Sequence, residues 1–193
     1  MSNQPEVLSL TRARFAQIDL ERMNVIRNKA LNVLNESPGL LSMTLWEKFD
    51  DPFSFMIASH FSNEDHSLTA WDNILRSPVF EIVNDLLTDT PSTNRFYIDW
   101  ATGQSLDVAA PGTFCSISTR IADLGFGPQL KEELRNIIIE LKLIPGFLGG
   151  ITGQLTDVSD EILGLIVWES KSAFEASIPK KSMYRIDLYQ RVL

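Results

Sequence analysis

Residues 6–16, 40–49 and 53–61 are extended runs rich in apolar residues, with alternation clearest in the second run, and they predict three strands. Asp-Asp-Pro separates the second run from the third, so we expect these two strands to pair as antiparallel neighbours. Between the first and second runs, apolar residues recur at helical spacing until Pro38-Gly39 ends the pattern. This spacing predicts a helix, with Asp19 as its N-cap.

A polar junction at residues 62–66 predicts the start of a second helix. Either Ser62 or Asn63 is suited to cap it, and acidic residues follow where the first turn favours them. Pro78 interrupts this helix, and a helical pattern resumes after it because proline is tolerated in a first turn. Residues 94–100 then alternate as a strand, which gives the order β-α-β-β-α-β.

The same order recurs after a linker at residues 101–112. Pro128 opens a helix with a clear apolar stripe, and Pro145-Gly146 ends it. Arg14 lies 24 positions before Pro38, and Arg120 lies 25 positions before Pro145, so the chain reads as one unit written twice. The predicted elements of the second copy are strands at 113–122, 147–155, 161–170 and 184–193, a helix at 128–141 and a short helix at 170–177.

A β-α-β-β-α-β unit is the ferredoxin-like arrangement, an antiparallel sheet with both helices on one face. The strand at 53–61 is apolar on both faces, so the other face of the sheet is also expected to be covered. We therefore predict an α+β fold in which two tandem ferredoxin-like units form a pseudo-dimeric α+β barrel. The predicted repeats are residues 6–104 and 111–193. The ligand pocket is expected in the first, because the helix around Phe174 is short and leaves less wall in the second.

Composition limits the range of partners. The formal net charge is −8 and the isoelectric point is about 4.8, which disfavours nucleic acid and anionic membrane surfaces. One cysteine, Cys115, excludes an internal disulfide, and its strand-like surroundings predict a buried thiol. The N-terminus lacks a secretory pattern and no apolar run is long enough to span a bilayer, so we expect a cytoplasmic protein.

Short motifs resemble those of a known family. The segment "SHFSNEDHSLTAWDNILRSPVF", with its Ala-Trp and Ser-Pro-x-Phe elements, and the turns "PGLL" and "PGFL" are similar to the antibiotic biosynthesis monooxygenase-like family of dimeric α+β barrels. The resemblance covers most of residues 6–104 and, more loosely, 111–193. It implies a ligand between helices and sheet, no cofactor, and for some members oxygenation of phenolic or anthrone-like substrates.

The same resemblance disfavours haem degradation. The haem-degrading branch has a histidine after the Ser-x-x-Phe element, where this chain has Asn84, and an asparagine in its first strand that this chain lacks. The ligand implied by the resemblance is therefore a small aromatic molecule, and we expect Phe80 and Asn84 to contribute to its pocket.

Several further side chains are candidates for this site. His60 is a candidate base because an imidazole titrates near neutral pH, although a histidine at the rim is an equally simple interpretation. Tyr97 is the second catalytic candidate, and Arg95 shares its strand face and could bind an anion, although a salt bridge with Asp99 explains this face as well. Two aromatic residues, Trp46 and Trp71, could form the floor of the pocket or pack in the core.

Two alternatives stay open at this point. His60 and His66 with the acidic residues between them could hold a metal, but helix capping explains the acidic pair without one. For function, the alternatives to a cofactor-independent monooxygenase are a non-catalytic ligand-binding or stress-response module and a purely structural pseudo-dimer. The oligomeric state is expected to be a monomer with an internal pseudo-dimer, or a homodimer.

Overall fold

The computed structural model describes residues 4–17, 20–178 and 186–192. The predicted cap Asp19 and both ends of the predicted closing strand lie outside the described residues. In chain order the elements are β1 (Val7–Arg14), α1 (Leu20–Asn35), β2 (Leu40–Lys48), β3 (Asp51–Phe61), α2 (Glu64–Leu75), α3 (Pro78–Asn84), β4 (Ser92–Gly103), β5 (Phe114–Ile121), α4 (Gly127–Leu141), β6 (Phe147–Leu155), β7 (Glu161–Trp168), α5 (Lys171–Ser177) and β8 (Asp187–Arg191).

The first of two compact units extends to Arg95 and also includes Val192. Its strands follow the order β1-β3-β2, and both pairs are antiparallel. Helices α1, α2 and α3 cover one face of this sheet, because apolar side chains of each helix pack against side chains of the strands. The buried residues of these two clusters are Phe15, Met23, Leu45 and Phe55, and Leu34, Met43, Phe61 and Ala70.

The second unit comprises Phe96–Arg191. Its strands follow the order β8-β5-β7-β6-β4, again antiparallel throughout the described pairs. Trp168 is fully buried and packs edge-on against Phe147 and Phe174, which fixes α5 on the sheet. Helix α4 lies on the same sheet, and a Cβ at Gly150 would come within 2.5 Å of Ile138.

The Pro-Gly turns have the same construction in both units. Gly39 and Gly146 have φ of 80° and 88°, a conformation that favours glycine. The carbonyl of Gly39 accepts a hydrogen bond from the Ser62 amide at 2.9 Å, and the carbonyl of Gly146 accepts one from the Glu169 amide at 2.8 Å. The turn before β2 is therefore hydrogen-bonded to the residue after β3. The turn before β6 is bonded in the same way to the residue after β7.

Helices α2 and α5 have similar N-caps. The Asn63 side chain accepts a hydrogen bond from the His66 amide at 2.9 Å, and the Ser170 hydroxyl accepts one from the Ala173 amide at 3.2 Å. Asn63, rather than Ser62, is therefore the cap of α2. The first turn of each helix lies against a Pro-Gly turn.

The predicted fold class is confirmed: the protein is α+β, and each half of the chain has the order β-α-β-β-α-β, with α2 and α3 as two helices in the first half. Contacts divide the chain differently from sequence order, since Phe96–Gly103 of β4 packs in the second unit. The predicted repeat limits, 6–104 and 111–193, follow sequence order and stay a prediction.

Two further expectations concern single features. Cys115 is buried, as the sequence predicts. Among the helices of the described residues, none combines the length and apolar character that crossing a membrane requires.

Candidate functional site

Two adjoining cavities lie in the first unit, between its sheet and its helices. They have about 490 and 630 Å³ of empty space, part of it open to solvent. Thr11, Ala30, Ile57, Trp71 and Ile74 line both, so the two spaces form one cleft.

One end of the cleft is apolar. Phe15 and Phe55 meet edge to face at 5.9 Å in its wall, and Met23 of α1 packs with them. Phe80 and Val83 of α3 close this end. Such a lining favours an aromatic or aliphatic body and offers it little hydrogen bonding.

The other end of the cleft carries hydroxyl groups. Ser9, Ser59 and Ser67 are all buried there, and Ser9 and Ser59 are directly opposite each other in β1 and β3. The Ser9 and Ser67 hydroxyl oxygens lie 2.7 Å apart, and those of Thr11 and Thr93 lie 3.0 Å apart. Hydroxyls can both donate and accept, so this end can bind a polar substituent.

Arg95 supplies the positive charge of this polar end. Its Nε donates a hydrogen bond to the Ser67 hydroxyl at 3.2 Å. Within the described part of the chain, no carboxylate forms an ion pair with this half-buried guanidinium. Because guanidinium binds oxyanions well, this wall of the cleft is suited to an anionic group.

The structure places three of the five predicted ligand-binding residues at the cleft. Trp71 lies where the apolar and polar ends meet, Phe80 lines the apolar end and Arg95 lines the polar end. Asn84 is exposed at the end of α3 and does not line either cavity. Trp46 is fully buried, and its indole N–H donates to the Thr44 hydroxyl at 2.8 Å.

His60 lies on the other face of β3. Ile57, Ser59 and Phe61 line the cleft, so the alternation of a strand directs His60 away from it. Its Nε2 lies 2.8 Å from a carboxylate oxygen of Glu6, without hydrogen-bond geometry. The catalytic role predicted for His60 has no support from this position and stays a prediction.

Tyr97 and Asp99 belong to the second unit. Tyr97 is half-buried in β4, opposite Gln154, and it lines neither the cleft of the first unit nor the space between α4 and its own sheet. Asp99 forms an ion pair with Lys131 of α4 at 3.1 Å. The sequence suggested a cross-strand salt bridge on this strand face, whereas the partner of Asp99 lies on a helix. The role of Tyr97 stays a prediction.

His66 has a structural environment of its own. Its Nδ1 lies 2.8 Å from the Ser62 hydroxyl, and its amide is bound by the cap of α2. In the ranges that the structure describes, no group of three or more histidine, cysteine, aspartate or glutamate side chains lies close enough to hold a metal ion. The acidic residues Glu64 and Asp65 lie in the first turn of α2, where the helix dipole favours them.

One carboxyl group of the first unit is strongly perturbed. Arg14, at the end of β1, donates to Asp51 at 2.9 Å, and the Ser54 hydroxyl donates to the same oxygen at 2.7 Å. These hydrogen bonds lower the pKa of Asp51 to about 2. Asp51 does not line the cleft, so this shift concerns stability rather than ligand binding.

The second unit also contains a cavity, with about 970 Å³ of empty space between β5, β7, α4 and α5. The short helix around Phe174 was expected to leave less wall for a cavity here, with the ligand site in the first unit. Both units contain a cavity, so the placement of the ligand site in the first unit stays a prediction. The short α5 covers little of the sheet, and Gly164 adds no side chain beside it.

Sequence reasoning did not identify the hydroxyl groups of the polar end. Ser9 and Ser59 occur within strands whose neighbours are buried and mostly apolar, and a polar residue at such a position is the signal that was available. Ser67 follows the capped turn of α2 and carried no comparable signal.

No protein-family model matches the sequence, and no curated protein matches it. Solved structures do match. A proposed monooxygenase from Fusobacterium nucleatum is 10% identical with a TM-score of 0.74, over 100% of this chain and 94% of that one. An anthrone oxidase-like protein is 11% identical with a TM-score of 0.73, over 98% and 92% of the two chains.

A third match names the family directly. It is a ferredoxin-fold protein from Listeria monocytogenes that is described as related to antibiotic biosynthesis monooxygenases. Its identity is 10% and its TM-score is 0.59, over 98% of this chain and 96% of that one. The chain therefore shares the fold of antibiotic biosynthesis monooxygenase-like proteins, and the resemblance predicted from the sequence is confirmed at the level of the fold.

Proposed function

We propose that the cleft of the first unit binds a small aromatic molecule that carries an ionisable oxygen, and that the protein promotes oxygenation of this molecule without a cofactor. The observation that supports the proposal is the meeting of an apolar end and a cationic, hydroxyl-lined end at Trp71. A phenol or an enolised anthrone has the same division, with a planar apolar body and one acidic oxygen.

The cationic end would favour the reactive form of such a molecule. A positive charge near a phenol stabilises its anion and lowers its pKa. Arg95 has no carboxylate partner in the described residues, so its charge is available to the ligand oxygen. The Ser9 and Ser67 hydroxyls beside it can add hydrogen bonds to the same oxygen.

The proposed reaction needs no electrons from outside. An anthrone CH₂ group loses a proton, and the resulting carbanion gives one electron to O₂. Radical recombination forms a C–O bond, and loss of water from the hydroperoxide leaves a C=O group. One anthrone and one O₂ thus give one anthraquinone and one water, and the substrate itself is the reductant. The fold similarity to an anthrone oxidase-like protein agrees with this reaction class.

A second candidate is a binding protein that performs no chemistry. It is favoured by one observation: among the described residues that line the cleft, there is no carboxylate and no imidazole to act as a base. Under this alternative the cleft and Arg95 keep their roles as ligand contacts, and only turnover is missing.

Binding is tested with a matched pair of ligands, 2-naphthoate and the neutral 2-naphthamide, by calorimetry. A charge-assisted hydrogen bond contributes about 1.5–3 kcal/mol, so Arg95→Gln is expected to weaken naphthoate binding about tenfold or more and to leave naphthamide binding unchanged. Arg12→Gln is the control, because Arg12 bonds to Asn94 and does not line the cleft. Equal losses for both ligands, or for both variants, would contradict the anion site.

Turnover is tested separately with an oxygen electrode and 1,8-dihydroxyanthrone. The proposed enzyme raises O₂ uptake above the spontaneous rate, and Arg95→Gln lowers it again. If naphthoate binds as expected and O₂ uptake stays at the rate of heat-denatured protein, the binding-protein alternative is supported and the oxygenase proposal fails for this substrate.

A further inference from the structure

The cavity of the second unit corresponds position by position to the polar cavity of the first. Ten residues that line the polar cavity have a counterpart 107 positions later that lines the second unit's cavity. Ser9 corresponds in this way to Ser116, and Thr11 to Ser118. We infer that the second unit holds a second small-molecule site, and that it takes an uncharged, predominantly apolar molecule.

The corresponding residues differ where the first cavity is polar. Ile166 replaces Ser59, and Phe174 replaces Ser67, so two buried hydroxyls give way to apolar side chains. The hydroxyl of Ser116 already accepts a hydrogen bond from the Trp168 indole at 2.9 Å. Ser177 and Ser118 also line this cavity, but the Ser177 hydroxyl donates to the Phe174 carbonyl at 2.6 Å and the Ser118 hydroxyl accepts from Arg120 Nε at 3.4 Å. Its hydroxyls therefore already have protein partners, and burying a further polar group there without a partner is costly.

The charged residues at the wall do not select an anion. Arg120 lies near Ser118, with its Nε 3.4 Å from the hydroxyl oxygen, and Glu140 of α4 lines the same cavity. Among the lining residues that the structure describes, one positive and one negative side chain leave this wall without a net charge. In the first unit, by contrast, Arg95 is the charged residue that lines the cleft.

Gly164 creates much of the space. It stands where the first unit has Ile57, and a Cβ built on it would lie 3.5 Å from Leu134, an ordinary contact distance. A Cβ at this position would therefore fit without displacing the wall, and a larger side chain would occupy space in the cavity. Protein interiors are normally close-packed, so a mostly apolar-lined space of about 970 Å³, part of it open to solvent, is suited to a ligand.

The helices that cover the two sheets also differ. The first unit covers its sheet with the 12-residue α2 and the 7-residue α3, whereas the second unit has the 7-residue α5. Ser177, Ile178 and Ile186 also line the cavity, and residues 179–185 lie outside the described residues. All side chains on which the inference depends lie within the described ranges.

The test uses the neutral fluorescent probe N-phenyl-1-naphthylamine with the full-length protein. Gly164→Phe fills the second cavity, and Ile57→Trp narrows the first cleft at the equivalent position. We expect two probe molecules per wild-type chain, and one per chain in Gly164→Phe. We also expect Gly164→Phe to keep naphthoate binding in the first unit, which shows that the variant is folded.

The outcomes separate this inference from the proposed function. Loss of one probe molecule in Gly164→Phe, with the circular dichroism spectrum and melting curve of a folded protein and with no naphthoate binding in the wild type, supports the second site and contradicts the function proposed for the first unit. Unchanged probe stoichiometry in folded Gly164→Phe overturns the second site. If Gly164→Phe does not fold, Gly164→Val is used, and a weaker affinity for one of the two probe molecules is expected. Two unchanged affinities would again overturn the inference.

Discussion

Gly39 is the single residue on which the turn before β2 depends. Its φ of 80° is unfavourable for other residues, and a Cβ there would lie 2.0 Å from Nδ1 of His66. Gly39→Ala is therefore expected to lose about 1–2 kcal/mol from the left-handed conformation and more from displacing the imidazole. Thermal unfolding followed by circular dichroism measures the change.

A matched control separates these two costs. Gly112 has a φ of 91°, and a Cβ added to it would meet nothing within 4 Å, so Gly112→Ala carries the conformational cost alone. We expect the melting temperature of Gly39→Ala to fall clearly below that of Gly112→Ala. Equal melting temperatures would show that displacing the imidazole of His66 costs no stability.

The residues of the cleft show how far a sequence pattern can locate a site. Trp71, Phe80 and Arg95 line the cleft, and their role in binding stays a prediction. A helix stripe, a short motif and strand alternation, respectively, had pointed to them. Trp46 and His60 lie on the opposite face of their strands. Strands β2 and β3 are buried on both faces, so alternation does not tell which face meets the helices.

At the scale of elements, β1 and β3 are joined at one end by an ion pair. The hydrogen bonds from Arg14 and Ser54 lower the pKa of Asp51 from its ordinary value of 3.8 to about 2. A carboxyl group whose pKa is lower in the folded state stabilises the fold above its ordinary pKa. This contribution is lost as the pH falls from about 3.8 towards about 2.

This ion pair gives a prediction for acid unfolding. Asp51→Asn removes the titrating group, so the variant is expected to be less stable than wild type above about pH 4 and to approach it near pH 2, the range set by the lowered pKa. Denaturant unfolding across this pH range measures the difference. Asp50→Asn is the control, because Asp50 is exposed and lies 3.8 Å from Lys48. A constant difference between Asp51→Asn and wild type would contradict the prediction.

The sequence predicted the order of the strands and helices, but it did not predict the strand with which β4 pairs. Period-two and helical patterns, Pro-Gly turns and polar caps located the strands and helices well. The alternation in β4 predicts a strand without naming its neighbour, and the structure pairs Phe96–Gly103 with β6. Strand partners depend on contacts between distant segments, and these leave little trace in a local pattern.

At the scale of the whole molecule, the excess of acidic residues opposes the ligand proposed for the first unit. A net charge of −8 repels an anion at a distance, whereas Arg95 attracts it within the cleft. Salt screens charges beyond the Debye length, about 10 Å at 0.1 M, and it screens partly buried contacts much less. Added salt is therefore expected to weaken the repulsion more than the contact with Arg95.

The association rate of 2-naphthoate should consequently rise between 10 and 200 mM NaCl, while its dissociation rate changes little. Stopped-flow measurements of tryptophan quenching, to which Trp71 at the cleft is expected to contribute, follow both rates. Neutral 2-naphthamide provides the control, since its association rate should not respond to salt. A rate for 2-naphthoate that falls with salt would mean that the field near the cleft is positive at long range. In that case Arg95 and its neighbours, rather than the net charge of −8, would control the approach of the ligand.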